Sequence, residues 1–145
     1  MNWRMRMINW YPPFLGAGIK VTKVEEEGRK YHVELRETFW NRNLVGTHFG
    51  GSLFAMCDPF FMLILMNFMR KEFIIWDKSA NIRFRKPGKG KVKAIFHVSD
   101  EQMNEIRKEV KELGKKDYSF KVNITDEEGD VVAEVEKIIY MKKKD

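Results

Sequence analysis

The sequence has little that could build a disulfide framework, a metal centre or a secretion signal. Its 145 residues include one cysteine, Cys57, and three scattered histidines. One cysteine excludes an intrachain disulfide and a cysteine-rich zinc site, and the histidines lack metal-ligand spacing, so we predict no metal. The N-terminus has no apolar segment of the signal-peptide type. We expect one domain over residues 1–145 in a reducing, cytoplasmic setting, with an N-terminal arm (1–16) and a solvated tail (142–145).

Basic residues outnumber acidic ones, and the net charge is +6 at pH 7. This balance favours an anionic partner, such as nucleic acid, an anionic membrane surface or a phosphorylated small molecule. The longest apolar stretch, Leu53–Met69, falls short of the roughly 20 residues that cross a bilayer. It also contains Asp58, Pro59 and Asn67. We therefore expect no membrane span.

The hydrophobic periodicity predicts six strands and two helices in the order β-β-α-β-β-α-β-β. Strands with one wet face are typical of an antiparallel sheet. The first helix is apolar on nearly every face and must be buried all round. We therefore predict an α+β fold in which a curved antiparallel sheet wraps around one long central helix. The predicted strands are 19–24, 29–37, 79–86, 91–98, 118–124 and 131–141, and the predicted helices are 50–69 and 99–113.

Asp58 is the one carboxylate inside the apolar run. In an apolar pocket it could act as a general base or nucleophile, because burial moves a carboxylate pKa towards the useful range. The competing interpretation is that Asp58 only caps a helix that begins at Pro59. If the helix instead continues through Pro59, this residue should kink it.

Two features before Asp58 admit the same kind of alternative. Gly50 and Gly51 could let a thioester carbonyl approach backbone N–H groups, as in an oxyanion hole, or could serve tight helix packing. His48 could bind a ligand carbonyl or could be a hydrogen-bonded structural group. Cys57 could form a catalytic pair with His48, but a buried, inert thiol is the better interpretation.

A basic cluster lies on the predicted hairpin formed by residues 79–86 and 91–98. It could bind nucleotide phosphates or nucleic acid, or it could be the solvent-exposed face of the two strands. A nucleic-acid-binding sheet should carry aromatic residues on the same face, whereas Phe84 and Phe96 are predicted to face the core, which disfavours nucleic acid. The cluster comprises Arg83, Arg85, Lys86, Lys89, Lys91 and Lys93.

The spacing Asn43-x-x-Gly46-Thr47-x-x-Gly50-Gly51 followed by Asp58 resembles the hotdog-fold acyl-CoA thioesterases. The closest branch is the phenylacetyl-CoA thioesterase-like group, which has many uncharacterised members. The stretches 81–88 and 132–140 resemble the corresponding hotdog strands. The family commonly has histidine directly before the glycine pair, where this chain has Phe49.

The resemblance implies a function and a set of roles. Asp58 would activate attack on an acyl or aryl thioester, the Gly50 N–H would polarise its carbonyl, and Asn43 would position substrate or water. Coenzyme A would be part of the substrate and no cofactor is expected. A homodimer, possibly paired into a tetramer, would form the site between subunits. A non-catalytic acyl-CoA or lipid-binding protein is the main alternative, and a hydroxyacyl dehydratase a lesser one. The predicted substrate-binding residues are His48, Gly51, Asp77, Ser79, Arg83, Arg85 and Lys86.

Overall fold

The computed structural model describes residues 3–145 of the chain. The first two residues of the predicted arm lie outside this range. The rest of the arm forms two short helices, and the next elements follow the predicted order. The elements are α1 (Trp3–Ile8), α2 (Pro12–Ala17), β1 (Ile19–Glu25), β2 (Lys30–Arg36), α3 (Gly50–Ala55), α4 (Phe60–Met69), β3 (Phe73–Phe84), β4 (Lys91–His97), α5 (Asp100–Leu113), β5 (Lys115–Thr125) and β6 (Val131–Lys143).

The six strands form one antiparallel sheet in the order β1-β2-β4-β5-β6-β3. The predicted α+β hotdog architecture, with six strands and a central helical segment, is confirmed. β3 lies at one edge and pairs with β6 along its whole length, from Phe73 opposite Lys143 to Phe84 opposite Ala133. β4 lies in the middle of the sheet, between β2 and β5.

The predicted hairpin between residues 79–86 and 91–98 is wrong, because β3 and β4 are not neighbours in the sheet. The segment between them carries the chain from the edge to the middle of the sheet instead of closing a tight turn. Its backbone is bound elsewhere: the Arg85 N–H donates to the Val132 carbonyl, and the Gly88 carbonyl accepts from the His48 N–H. The glycine and proline at 87–90 therefore mark a crossing loop.

The edge position of β3 also corrects the expectation for Phe84. Its side chain is 54% exposed, whereas Phe96 on β4 is fully buried. An edge strand has a sheet neighbour on one side only, so period-two alternation there does not guarantee a covered face. Phe84 instead lies against the start of α3, where a Cβ added to Gly50 would come within 2.9 Å of its ring.

The inner face of the sheet packs against α4. Phe60 stacks on Phe96 with 4.8 Å between ring centroids, and Phe61 stacks on Phe120 at 5.0 Å. Ile64 on the same helix is fully buried. The segment Gly50–Met69 is long and apolar enough to cross a membrane by length and composition. Half of its most apolar window is buried, so it is not buried all round as predicted, and α4 is the part that packs on the sheet as a core helix does.

The central helical segment is interrupted between α3 and α4. α3 ends at Ala55, and α4 begins at Phe60 with Pro59 in the N-cap position. Pro59 has no N–H to give to the carbonyl of Ala55, so the predicted distortion occurs here. No side chain caps the start of α4. Asp58 therefore does not act as the helix cap of the competing interpretation, and its carboxylate points to another partner.

Candidate functional site

A buried lysine on the last strand organises the site. Val135, Ile139 and Met141 form the buried phase of β6, and Lys137 falls in the same phase. The Lys137 side chain is only 2% exposed. A lysine is almost never buried to this extent unless its ammonium is paired.

The Lys137 ammonium lies between two carboxylates. Its Nζ donates to Oδ1 of Asp58 at 2.9 Å and lies 3.2 Å from Oδ1 of Asp77. The ring of Phe54, on α3, is 5.6 Å from Nζ and adds a cation–π contact. We call Asp58, Asp77 and Lys137 the charged cluster. It joins the helix break, the edge strand β3 and β6.

Local backbone irregularities present both carboxylates to Lys137. Asp58 lies in the break that Pro59 imposes, where its N–H still donates to the Ala55 carbonyl at 3.3 Å. Asp77 lies at a register irregularity of β3, between its pairing with Ile139 and the pairing of Ser79 with Ile138. An extra residue in one strand bends it and redirects neighbouring side chains.

The two carboxylates differ in their surroundings. The Asp58 side chain is 55% exposed, whereas that of Asp77 is 24% exposed. Burial raises the pKa of Asp77, the Lys137 ammonium opposes this rise, and the charge of Asp58 adds to it. Oδ1 of Asp77 is fully buried and makes no well-aligned hydrogen bond, although Nζ lies at ion-pair distance. Asp77 thus faces inwards and Asp58 faces solvent.

The half-exposed Asp58 carboxylate is anchored through one of its two oxygens. Oδ1 accepts from Lys137, and within residues 3–145 the structure gives Oδ2 no hydrogen-bond partner. A carboxylate anchored through one oxygen keeps lone pairs on the other for a water or an electrophile. This geometry suits a general base or a nucleophile.

Gly50 and Gly51 form the first turn of α3. The first N–H groups of any helix lack intrahelical acceptors, so they remain available to a ligand oxygen. A Cβ added to Gly51 would meet the Phe49 ring at 2.5 Å. The close packing that glycine permits is therefore observed at both positions, and their role towards a carbonyl stays a prediction.

Asn43 and His48 hold the loop that leads into α3. The Asn43 side chain donates to Oγ1 of Thr47 at 2.9 Å and accepts from the Thr47 and Val45 N–H groups. His48 is 3% exposed, and its Nε2–H donates to the Gly90 carbonyl at 2.7 Å. These contacts fix the loop shape, and the predicted substrate contacts of both residues remain untested.

The basic candidates are largely engaged in ion pairs. Arg85 contacts Glu134 at 2.7 Å, and Lys86 contacts Asp126 and Asp130 at 2.7 and 2.9 Å. Arg83 lines a surface cavity of about 380 Å³ that also contains Glu134. Together with the absence of a β3–β4 hairpin, these pairs mean that residues 83–93 do not form one continuous basic face. Ser79 is exposed on β3.

A wider surface cavity, of about 530 Å³, lies at the C-terminal end of β6 and is lined by residues 113–115 and 142–145. It does not include the charged cluster. We place the candidate site at the cluster, because a buried ammonium paired with a half-exposed carboxylate is unusual in a protein and such charged groups concentrate at functional sites.

Lys137 is the residue that the sequence interpretation missed as a site component. Its position two residues from Val135 and from Ile139 was a usable signal, because period-two alternation assigns it to the apolar face of β6. Cys57 is fully buried, and burial raises the pKa of its thiol. This agrees with an inert thiol rather than a Cys57–His48 catalytic pair.

Comparisons with known proteins agree with the fold. A family model described as a domain of unknown function, DUF4442, matches residues 3–141. No curated protein sequence matches the chain significantly. Among solved structures, PA5026 from Pseudomonas aeruginosa, described as a protein of unknown function and probable thioesterase, has a TM-score of 0.84 at 25% identity, covering 97% of this chain and 93% of that one.

Two more distant structures share the fold. The thioesterase HI1161 from Haemophilus influenzae has a TM-score of 0.68 at 12% identity, covering 94% of this chain and 87% of that one. A variant of the thioesterase PA1618 from Pseudomonas aeruginosa has a TM-score of 0.69 at 8% identity, covering 97% and 93%. The chain thus has the hotdog fold of proteins described as thioesterases.

Proposed function

The chain belongs to the DUF4442 family, and from this premise we propose that it is a thioester hydrolase acting on an acyl-CoA or aryl-CoA in the cytoplasm. The observation that carries the proposal is the half-exposed Asp58 carboxylate, which is anchored through Oδ1 by a buried ammonium and has no hydrogen-bond partner on Oδ2 among residues 3–145. The thioesterases that share this fold support the reaction class.

Hydrolysis needs a proton acceptor, a nucleophile and a stabilised oxyanion. In one route, Oδ2 of Asp58 takes a proton from water while the water oxygen bonds to the thioester carbon. The C–S bond then breaks, the proton passes to the sulfur, and a carboxylic acid and the CoA thiol leave. In the other route Oδ2 itself bonds to the thioester carbon, the C–S bond breaks and the CoA thiolate leaves. Water then hydrolyses the mixed anhydride to the carboxylic acid and free Asp58, and the proton released converts the thiolate to the thiol. The structure is compatible with both routes.

The Gly50 N–H is our candidate for the oxyanion donor. It belongs to the first turn of α3, which precedes the helix break that bears Asp58. Backbone donors fixed by a helix start need no reorganisation when negative charge develops on the carbonyl oxygen. Asn43 is assigned the positioning of this turn through the loop 43–49.

The test is hydrolysis of a panel of CoA thioesters, from acetyl-CoA to long-chain acyl-CoAs and phenylacetyl-CoA. The release of the CoA thiol measures the rate. We expect wild-type turnover of at least one member and a fall in kcat of roughly 10²–10⁴-fold in Asp58→Asn, the range of a lost general base. Asp117→Asn is the matched control, because Asp117 is an exposed carboxylate paired with Lys78 on the surface. Full activity in Asp58→Asn would refute the assignment.

The second candidate function is binding of acyl-CoA or lipid without hydrolysis. The same site would serve this function, and binding of the CoA thioesters without cleavage of any of them would indicate it. Calorimetric titration with a non-hydrolysable thioether analogue of phenylacetyl-CoA distinguishes the two functions. Binding of the analogue together with an absence of turnover would select the binding protein over the enzyme.

A homodimer belongs to the same proposal. β3 is a 12-residue edge strand whose sheet partner within residues 3–145 is β6. Its exposed side chains include Trp76 and Phe84. An open apolar edge is suited to pairing with another strand, and a second copy would enclose the exposed side of Asp58. Light scattering after size-exclusion chromatography should give twice the 17.3 kDa chain mass or four times it.

Nucleic-acid binding through the basic cluster is a further alternative. It requires one basic hairpin over residues 83–93, whereas these residues lie on strands that do not pair, with Arg85 and Lys86 in ion pairs. Binding to DNA or RNA that falls steeply with salt and is lost in the double variant Arg83→Glu/Arg85→Glu would revive it.

A further inference from the structure

Lys137 has a place in this site that neither the sequence motif nor the family match assigns. It contacts the carboxylates of both other members of the charged cluster, and it lies on β6, whereas Asp77 lies on β3 and Asp58 in the helix break. Burying an ammonium is unfavourable before pairing is counted, and an apolar residue in its place would avoid that cost. A lysine in the buried phase of β6 therefore calls for an explanation beyond packing.

We propose that Lys137 is the positioning residue of the site: its ammonium fixes the Asp58 carboxylate at the helix break so that Oδ2 faces the thioester. This inference rests on the proposed function and deepens it. Asp58 follows the C-terminal turn of α3 and precedes Pro59, and its N–H makes a turn-type bond to the Ala55 carbonyl at 3.3 Å in place of an α-helical one. The contact of 2.9 Å to Lys137 is the side chain's anchor.

Asp77 holds Lys137 in turn. It presents a second carboxylate oxygen to the ammonium, at 3.2 Å from Nζ. With the ring of Phe54 at 5.6 Å, these contacts fix the end of a long flexible side chain that otherwise has many rotamers. The order of support is therefore Asp77 to Lys137 to Asp58, and Asp58 is the member that reaches solvent.

The kinetic test compares Lys137→Met with wild type on the best CoA thioester of the panel. Small displacements of a reacting group cost up to about a hundredfold in rate, so we expect kcat to fall roughly 10 to 100-fold with KM within about twofold. Lys137→Arg, which keeps the charge, should recover part of kcat. In the Asp58→Asn background, Lys137→Met should cause no further loss, because Lys137 acts through Asp58.

The control variant is Lys121→Met, which removes an exposed lysine from β5, the other strand that pairs with β6, and should leave kcat unchanged. If Lys137→Met does not fold, Asp77→Asn/Lys137→Met is compared with Asp77→Asn, because the amide leaves no buried charge unpaired. Wild-type kcat in Lys137→Met, or equal losses with and without Asp58, would overturn the inference while the proposed hydrolysis stands.

A second measurement covers a wild type that cleaves no member of the panel. That result contradicts the proposed function, and the positioning of Asp58 is then tested by crystal structures of wild type and Lys137→Met. We expect the Asp58 carboxylate to lie within hydrogen-bond distance of Nζ in wild type and to leave that position in the variant. An unchanged Asp58 carboxylate in the variant would overturn the inference by itself.

Discussion

Removing both carboxylates that flank Lys137 should destabilise the protein more than removing either one. The Lys137 side chain is 2% exposed, so its ammonium cannot turn to solvent when its partners are lost. In Asp58→Asn the ammonium keeps Asp77, and we expect a loss of about 1–2 kcal/mol. In Asp58→Asn/Asp77→Asn no carboxylate remains in contact with it, and leaving a buried charge unpaired costs about 3–5 kcal/mol.

The decisive variant adds Lys137→Met to that pair. An apolar side chain of similar length suits the buried phase of β6, so the triple variant should regain most of the lost stability. At about 2–4 °C per kcal/mol, the double variant should melt roughly 6 to 20 °C below wild type. Thermal unfolding at pH 7 and one protein concentration measures this. A triple variant no more stable than the double variant would refute the assignment of the buried charge to Lys137.

Three further outcomes are expected. The buried Cys57 thiol should not react with a disulfide reagent until denaturant is added, because burial raises its pKa and blocks access; reaction in the native protein would contradict this. Urea unfolding should show that Gly18→Ala lowers the free energy of unfolding by about 1–2 kcal/mol, because Gly18 has a φ of +82°. Gly16→Ala should not lower it, because a Cβ at Gly16 would point into open space. The ion pair with Lys23 lowers the pKa of Glu25 from 4.5 to about 2, so its stabilisation is complete above pH 4.5 and is lost as the pH falls towards 2. The acid limb of a melting-temperature profile should therefore flatten in Glu25→Gln.

The sequence was sufficient for element types wherever a local rule dominates. Alternation along β2 predicts a strand that the structure confirms over Lys30–Arg36. The capping box of Ser99 and Gln102 is present at the start of α5, and Gly114 ends that helix with a φ of +82°. In each case the signal lies within a few neighbouring residues, and tertiary packing does not override it.

Strand pairing could not be deduced in the same way. Sequence neighbours usually pair, and the glycine and proline at 87–90 are typical of a turn. The chain instead crosses to the middle of the sheet, because β4 can pair with both β2 and β5 there, while the edge strand β3 pairs with β6. Pairing of that kind depends on the burial of all six strands together, which no local window contains.

Only part of the candidate site could be predicted from the sequence. Asp58 stood out because a lone carboxylate in an apolar run is rare. The chain contains many lysines, and only the period-two alternation of β6, which assigns Lys137 to the buried face, distinguishes it from the others. That Asp58 and Lys137 meet at 2.9 Å is a consequence of the helix break and the strand order together, so it required the three-dimensional structure.

The pairing of β3 with β6 sets the order in which a newly synthesised chain can complete this molecule. β6 leaves the ribosome after the other five strands of the sheet, and it supplies both the sheet neighbour of β3 and the ammonium that Asp58 contacts. Until residues 131–143 emerge, β3 has no sheet partner and the central helix lies beside an unfinished sheet. A chain stopped at residue 130 would keep the motif of residues 43–58 that contains Asp58. It would lack the strand that anchors the Asp58 carboxylate.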